Sequence, residues 1–482
     1  MKTLQRPIAA LLCILPSLVL ATPVNLHMSL HEAILLGVRM NLAIRSAELQ
    51  RVTDKFSLAE AHNQFVPQYS LAGTSSMTNA VSNSGPHSLS WASTLTPKAT
   101  LDTALGTGFT LSMDNTYTNR DDATDSYNPA VTLKVTQPLM RGFGKKIVLA
   151  ALNKAEATEL NNRLSFKNTI ISQVNTIITD YLSLIKDKRN LVIQQQAVSK
   201  DQDNLNAFKA KIKAGVSAPS DLSDIQTTLF QDKLALVSAK NTEDSDRQKL
   251  LTDLGLDPNA KISIDDTLDL THYQIPTLLK SQHVAKSHNI SYQQALITLG
   301  INEISLAQAE DDGRWKLDLS AQSTYGGGAS DGRNAGLRSL TNGSNTEEQV
   351  ALTLDIPIDN FSIKQAIANA RITVGKQQIS VKQSRWSLQT QVINSLRQLN
   401  SDREQIKLAK RRLVYAKKSY EAIKKKVSVG RSTTFELTSK ASDLTQANLT
   451  LVSNEIGFMT DFANFDALLG TTLQTWQLNI AI

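Results

Sequence analysis

The stretch KVSVGRSTTFELTS, residues 426–439, is a sharp break between two long helix-forming segments, and KIKAGVSAPSDLSD, residues 211–224, repeats the same event. In each stretch a glycine, Gly430 or Gly215, follows a helical segment and supplies the left-handed residue that commonly ends a helix. Hydroxyl-bearing and acidic residues follow at once, as is typical of a helix start. The sequence therefore predicts two helical hairpins with the same kind of turn.

The N-terminus is typical of a secretory signal. Lys2 and Arg6 precede an apolar stretch, and small residues suit cleavage near Ala21, so we predict a signal peptide over residues 1–21. The only cysteine, Cys13, lies inside this segment, so the mature chain is expected to have no disulfide and no cysteine-based metal site. No other stretch is long and apolar enough for a membrane helix, so any part of the chain that enters a membrane must be built from β-strands.

The order of segments occurs twice along the chain. NLAIRSAELQ at 41–50 matches NISYQQALIT at 289–298, and both lead into alternating apolar and polar residues. LTDLGL at 251–256 and DALLG at 466–470 lie 215 positions apart, the same separation as the two glycine turns. Such a repeat indicates two copies of one structural unit. We predict these segments: a first repeat over 22–270, a second repeat over 271–470 and a C-terminal tail over 471–482.

Two very long helices are predicted over 143–213 and 361–428. Their apolar residues recur every seven positions, which is typical of helices that pack along their length as coiled coils. The first such series comprises Ile170, Ile177, Leu184, Leu191, Val198, Leu205 and Ile212. Four shorter helices are predicted over 29–63, 219–253, 276–310 and 432–468. Two adjacent apolar stripes on the long helices predict a curved wall of helices.

Segments of alternating polarity predict β-strands with one apolar and one polar face. TGFTLSMDNTYT, residues 107–118, WKLDLSAQSTY, residues 315–325, and VALTLDIP, residues 350–357, show the pattern, and residues 88–103 are consistent with a further strand or hairpin. Such strands fit a half-exposed sheet or an outer-membrane barrel. The export signal and the long polar stretch at 325–348 favour the barrel. Because about eight strands are needed to close one, we expect several copies of the chain to share it.

The duplicated layout, TQPLMRGFG and DIPIDN at strand ends, and the paired AGVSAPSDL and VGRSTTFEL turns resemble the TolC-type outer-membrane efflux and secretion channels. The resemblance implies a mainly α fold with membrane β: a trimeric, duplicated helical-barrel tunnel plus a shared outer-membrane β-barrel with four or more strands per protomer. The family's barrel has 12 strands. The implied function is passive export in an efflux or type I secretion system, with the tail near the periplasmic equatorial region.

The resemblance also implies partners. They are two further copies of the chain, outer-membrane lipid, a periplasmic adaptor (membrane fusion protein) and an inner-membrane pump of the ABC, RND or MFS type. The implied location is the outer membrane of a Gram-negative bacterium, with a large periplasmic portion.

In this family the two turns form the periplasmic tips where the tunnel narrows. Acids in the second tip helix correspond to Asp221 and Glu436, and Asp224 is a further candidate; in a narrow pore such acids favour cations. Arg431 is a candidate partner for a neighbouring acid, and Ser439 stands where the family has a second acid. The adaptor-contact candidates are Ala214, Gly215, Val216, Val429, Gly430 and Arg431. Helix capping alone also accounts for acids at these positions.

Other classes of function have weaker support in the sequence. The seven histidines show no metal-ligand or catalytic arrangement, and no cofactor motif occurs, so we expect no enzyme activity and no metal or cofactor. The basic run over 403–426 is expected to be the solvated face of a helix rather than a nucleic-acid site. The alternative that remains is a periplasmic coiled-coil adaptor of an export system.

Overall fold

A computed structural model describes residues 26–80, 88–121, 123–215, 222–267, 270, 273–327, 330–331, 338, 340 and 345–480. The predicted signal peptide therefore lies outside the described residues. The chain divides into two compact units, each assembled from three separate stretches. The first unit comprises the described parts of Met1–Asn41, Gln173–Gln274 and Ser401–Ala463; the second comprises those of Leu42–Ser172, Ile275–Asn400 and Asn464–Ile482.

Helices form most of the described chain. Their bounds are α1 Leu30–Met40, α2 Leu42–Asn63, α3 Lys145–Val148, α4 Ala150–Lys213, α5 Leu222–Asp253, α6 Leu278–His288, α7 Ile290–Asp312, α8 Phe361–Ser428, α9 Thr434–Leu469 and α10 Thr472–Thr475. The long helices α4 and α8 contain 64 and 68 residues, close to the predicted spans. The seven-residue apolar stripe of α4 is buried at Ile170, Ile177, Leu184 and Leu205, as coiled-coil packing requires.

The strands form two sheets. Their bounds are β1 Leu26–Met28, β2 Gln68–Ala80, β3 Ser88–Asp102, β4 Gly108–Arg120, β5 Ala123–Pro138, β6 Ile262–Ile264, β7 Lys316–Gly326, β8 Ser330–Asp331 and β9 Thr346–Asp355. In the first unit β1 and β6 pair in parallel. In the second unit the order is β2-β3-β4-β5-β7-β9, antiparallel throughout, and β8 pairs with β5. The segment over 88–103, left open between strand and hairpin, is the single strand β3.

Two predicted helices, 29–63 and 276–310, are each divided by one asparagine. Asn41 has an extended backbone (φ −58°, ψ 126°) between α1 and α2, and Asn289 has the same role between α6 and α7 (φ −64°, ψ 118°). Each side-chain amide is a donor to the end of another helix: Asn41 Nδ2 lies 2.7 Å from Asp253 O, and Asn289 Nδ2 lies 2.9 Å from Leu468 O. The interruption thus satisfies a carbonyl that a helix end leaves without a partner.

Each asparagine junction also has a glycine. Gly255 follows α5 in the first unit and Gly470 follows α9 in the second, with φ of +73° and +74°. Their missing side chains let the chain approach closely: a Cβ on Gly255 would lie 2.3 Å from Met40 O, and one on Gly470 would lie 2.3 Å from His288 O. The same junction therefore occurs once in each unit, at positions that the internal repeat makes equivalent.

Candidate functional site

The first predicted tip lies in the first unit, where α4 ends. Gly215 has φ +75°, and its amide donates to Ile212 O at 2.9 Å, so it ends the helix as the sequence predicts. An apolar cluster of Leu205, Phe208, Ile225 and Leu229 holds α4 and α5 together just behind the turn. Two predicted site residues, Val216 and Asp221, lie outside the described residues.

The second predicted tip, also in the first unit, joins α8 to α9. Gly430 (φ +74°) donates to Val427 O at 3.3 Å and the next amide, of Arg431, donates to Lys426 O at 2.8 Å, which is a Schellman motif. Thr433 caps α9 by accepting the amide of Glu436 at 3.2 Å. An apolar cluster closes the hairpin behind the turn and comprises Tyr420, Ile423, Val427, Leu437, Ala441 and Leu444.

All of the predicted site residues that the structure describes are exposed. These residues are Ala214, Gly215, Asp224, Val429, Gly430, Arg431 and Glu436. The Glu436 carboxylate accepts a hydrogen bond from the Ser432 hydroxyl, and Asp224 lies in the first turn of α5. The structure thus gives Glu436 a capping environment and leaves its charge accessible to solvent. The roles of these residues in gating, cation preference or adaptor contact stay predictions.

One tip residue was missed by the sequence analysis. Lys211, in the last turn of α4, donates from Nζ to Val427 O in the last turn of α8, at 3.0 Å. Val427 O also accepts the Gly430 amide, so the lysine adds a charged donor to a carbonyl at the end of α8. A lysine at a helix C-terminus also interacts favourably with the negative end of the helix dipole. Nearby, Lys200 Nζ lies 5.7 Å from the centre of the Tyr420 ring. These two contacts tie the two hairpins together within the first unit.

The sheet of the second unit has two contrasting faces. Residues directly opposite each other on paired strands share a face. The register places Phe109 opposite Val135, Val135 opposite Ala321 and Ala321 opposite Val350, so four strands contribute to one apolar row. The same face also carries Tyr69, Leu71, Trp91, Leu95, Leu111, Leu133, Leu319, Leu352 and Leu354. Much of it is exposed: Tyr69 retains 81% of its accessible surface and Val350 76%.

The opposite face of this sheet is polar and internally hydrogen-bonded. The hydroxyl oxygens of Thr94 and Thr116 are 3.1 Å apart, and the Thr96 hydroxyl donates to the Asp114 carboxylate at 2.7 Å. Serine, threonine and charged side chains continue along this face, including Lys134 and Asp318 on β5 and β7. A sheet with an exposed apolar face and a polar face resembles the wall of a membrane β-structure, with lipid on one side and water on the other.

The described helices include none that is both long and apolar enough to cross a membrane.

A further charged set, missed by the sequence analysis, lies along the seam between α4 and α5 in the first unit. Three buried aspartates of α4 interact with aspartates of α5; the pairs are Asp180 with Asp253, Asp187 with Asp246, and Asp201 with Asp232. The α4 members are 4%, 4% and 3% exposed. In each pair the two residue numbers add to 433, so a single antiparallel register produces all three pairs.

Burial and the facing carboxyl group change the protonation of these pairs. Burial, reinforced by the partner aspartate, raises the pKa of Asp180 and Asp187 to about 6 and that of Asp201 to about 7. Lys249, whose Nζ lies 2.6 Å from Asp180 Oδ1, opposes the increase at that pair. Oδ2 of Asp180 and of Asp187 is buried with no hydrogen-bond partner in the described part of the chain. These pairs therefore hold a proton far more tightly than exposed aspartates do.

Comparison with known proteins identifies the class. The family model described as "Outer membrane efflux protein" matches residues 39–256 and 316–471, more than half of the sequence. The chain therefore belongs to the outer membrane efflux protein family. Comparison with curated proteins gives no match. Because this family consists of channels, the chain is an outer-membrane efflux channel, and the alternative of a periplasmic adaptor is not supported.

Solved structures share the fold at low sequence identity. CusC, described in the context of transmembrane channel formation, is 14% identical with a TM-score of 0.71, over 92% of each chain. The Campylobacter jejuni outer membrane channel CmeC is 12% identical with a TM-score of 0.72, over 94% of this chain and 90% of that one. The open-state Neisseria gonorrhoeae channel MtrE is 14% identical with a TM-score of 0.68, over 92% and 89%. The predicted TolC-like fold is thereby confirmed.

Proposed function

We propose that three copies of the chain form one passive export conduit, with their sheets joined in the outer membrane and their helices forming a periplasmic tunnel. The observation that carries this proposal is the sheet of the second unit, whose apolar face suits lipid and whose polar face suits an aqueous lumen. The family assignment supports export as the role. In this proposal the two repeats at 22–270 and 271–470 contribute equivalent parts of the tunnel.

The two tips are proposed as the gate. Asp221, Asp224 and Glu436 would present acids in triplicate to a narrow opening, and Arg431 would pair with one of them. The Lys211 contact with Val427 O supports a closed arrangement, because it couples α4 to α8 where both helices end. A periplasmic adaptor and an inner-membrane pump are proposed to open the gate. The surfaces that the adaptor would contact are Ala214, Gly215 and Val216 in one tip and Val429, Gly430 and Arg431 in the other.

The trimer can be tested directly. We expect protein extracted from outer membranes in mild detergent to have the mass of three protomers by light scattering coupled to size exclusion, because a six-stranded sheet cannot bury its own edges in lipid. The soluble fraction serves as the control and should contain little of the protein. A soluble monomer would contradict both the trimer and the membrane location.

The gate can be tested by removing its charges without changing side-chain shape. Glu436→Gln and Asp224→Asn should each reduce cation preference in planar bilayers, because each change removes three charges from the proposed narrow opening. If the three charges together contribute about 1 kcal/mol to cation attraction, the permeability ratio of K⁺ to Cl⁻ should fall about fivefold.

The matched control for this test is Asp443→Asn, an exposed acid further along α9 that forms an ion pair with Lys440 at 2.9 Å. It should leave the permeability ratio unchanged. Unchanged ratios in both tip variants would reduce Asp224 and Glu436 to helix caps and would place the gate elsewhere.

A further inference from the structure

The sheet of the second unit has two open edges. Among the described strands, β2 pairs only with β3 and β9 pairs only with β7, so each presents one row of backbone amides and carbonyls without a strand partner. Neither strand is short, since β2 has 13 residues and β9 has 10. An unpaired backbone group in the hydrocarbon of a membrane is strongly unfavourable, because no water is there to take the place of the missing partner. In an outer-membrane channel, both edges must therefore be paired.

The two edges are compatible with each other. All five steps from β2 to β9 are antiparallel, so β2 and β9 run in opposite directions and can form a further antiparallel pair. Their faces also agree: Tyr69 and Leu71 on β2 lie on the same side of the sheet as Leu352 and Leu354 on β9. Pairing would continue the apolar face without interruption.

A single chain cannot make this pair with itself, because six strands are fewer than the roughly eight that the smallest closed barrels need. The partner that fits both edges is a second copy of the same chain. From this edge geometry, we propose that β9 of each protomer pairs with β2 of the next and that every protomer contributes six strands, so that the trimer closes a barrel of 18. This inference rests on the trimer proposed above.

The consequence is a barrel wider than the 12-stranded one that the family resemblance implies. Barrel diameter grows roughly linearly with strand number, so the lumen would be about 1.5 times wider. The two additional strands of each protomer come from the first half of the chain. That half contributes four strands to the sheet order, β2 to β5, and the second half contributes two, β7 and β9.

A competing arrangement would keep 12 strands. Pro97 in β3 has no amide to donate, and the register between β3 and β4 has no partners for Thr96 and Pro97. If the ladder opened there, the β2–β3 hairpin would stand outside the barrel and β4 would be the edge that meets β9 of the next protomer. The two arrangements place different residues beside β9.

Disulfide cross-linking in whole outer membranes separates them, since Cys13, in the predicted signal peptide, is the only cysteine of the chain. Leu352→Cys is combined with a cysteine scan of β2, at Leu71→Cys and Gly73→Cys on its own face and at Ser70→Cys and Ala72→Cys on the opposite face. The expected result is a covalent trimer on non-reducing gels with at least one same-face partner, and its loss with both opposite-face partners.

The overturning result is cross-linking of Leu352→Cys with Leu111→Cys on β4 instead of with any position of β2. Single-cysteine variants show whether each change permits assembly, and a lysine-reactive cross-linker shows the number of protomers independently of the cysteines. A trimer that cross-links through β4 overturns the 18-stranded barrel alone. A lysine-reactive product of any other size overturns the trimer.

Discussion

Replacing Gly255 with alanine should destabilise the first unit by more than about 3 kcal/mol, because two separate costs add. The first is backbone strain: Gly255 has φ +73°, a conformation that side chains other than glycine rarely adopt. The second is a collision with main chain, since the new Cβ would lie 2.3 Å from Met40 O and 2.8 Å from Met40 C. A backbone carbonyl cannot rotate away as a side chain can.

Relief of this collision would break other contacts. Met40 precedes Asn41, whose Nδ2 donates to Asp253 O at 2.7 Å and to Gln173 Oε1 at 3.2 Å. The amide of Leu256, directly after the glycine, donates to Leu251 O at 2.8 Å. Moving either chain segment of the junction would break these hydrogen bonds, each of which contributes about 1 kcal/mol to stability. The junction therefore cannot accommodate a methyl group at Gly255 without a loss of stability.

Gly430→Ala is the matched control. It has the same backbone conformation, φ +74°, but a Cβ there meets no atom within 4 Å, so only the strain of about 1–2 kcal/mol applies. Gly470→Ala, where the Cβ would lie 2.3 Å from His288 O, should behave like Gly255→Ala. Thermal melting of the purified channel, monitored by the helical circular dichroism signal, ranks the loss of stability in the three variants. Equal losses at Gly255 and Gly430 would refute the close-approach argument.

These comparisons show what the sequence could and could not predict. The long helices were predictable because a seven-residue period over many turns has one structural interpretation. Gly215 and Gly430 were also predictable as helix ends. The left-handed conformation that ends a helix favours glycine, and this preference is visible in the local sequence. The breaks at Asn41 and Asn289 were not, because each depends on a hydrogen bond to a helix end more than 170 positions away.

The sheet and the tips show the same limit. Alternating polarity identified most strands, but the number of strands in residues 66–138 depends on pairing partners that alternation does not specify. The contact of Lys211 with Val427 O joins residues 216 positions apart and has no local signal. Aspartates at 180, 187 and 201 follow the heptad period, which indicates a common face. Their raised pKa values depend on the register with α5, which only the folded hairpin establishes.

Those aspartate pairs predict an unusual dependence of stability on pH. A carboxyl group whose pKa is higher in the folded than in the unfolded chain stabilises the fold at low pH and loses that contribution as pH rises. For Asp187 and Asp201, raised from 3.8 to about 6 and about 7, the loss develops between about pH 4 and pH 7 and is complete above it. These rises correspond to about 3 kcal/mol for Asp187 and about 4 kcal/mol for Asp201.

The charges around the pairs do not reverse this sign. Lys186 and Glu243 act in opposite directions on Asp187, while Lys200 and the side chain of Asn204 lower the pKa of Asp201 without cancelling the effect of burial. On the side of α9, the groups that share a cavity with Lys186 and Asp187 are uncharged: Gln446, Leu449, Thr450, Ser453 and Asn454. The α4–α5 seam should therefore lose stability as the pH rises. Acid denaturation has the opposite pH dependence, because there stability is lost as the pH falls.

The double variant Asp187→Asn/Asp201→Asn should remove most of this dependence, because an amide keeps the shape of the carboxyl group and cannot ionise. At pH 8 the free energy of opening of the α4–α5 seam should be higher in the double variant than in the wild-type chain by a few kcal/mol. At pH 5 this difference should be smaller. Hydrogen exchange of the α5 amides, corrected for the intrinsic effect of pH, measures this locally in the intact channel. Asp203→Asn, an exposed position on the same helix, is the control and should retain the wild-type profile. A double variant with an undiminished pH profile would mean that the paired carboxyl groups hold no proton at neutral pH.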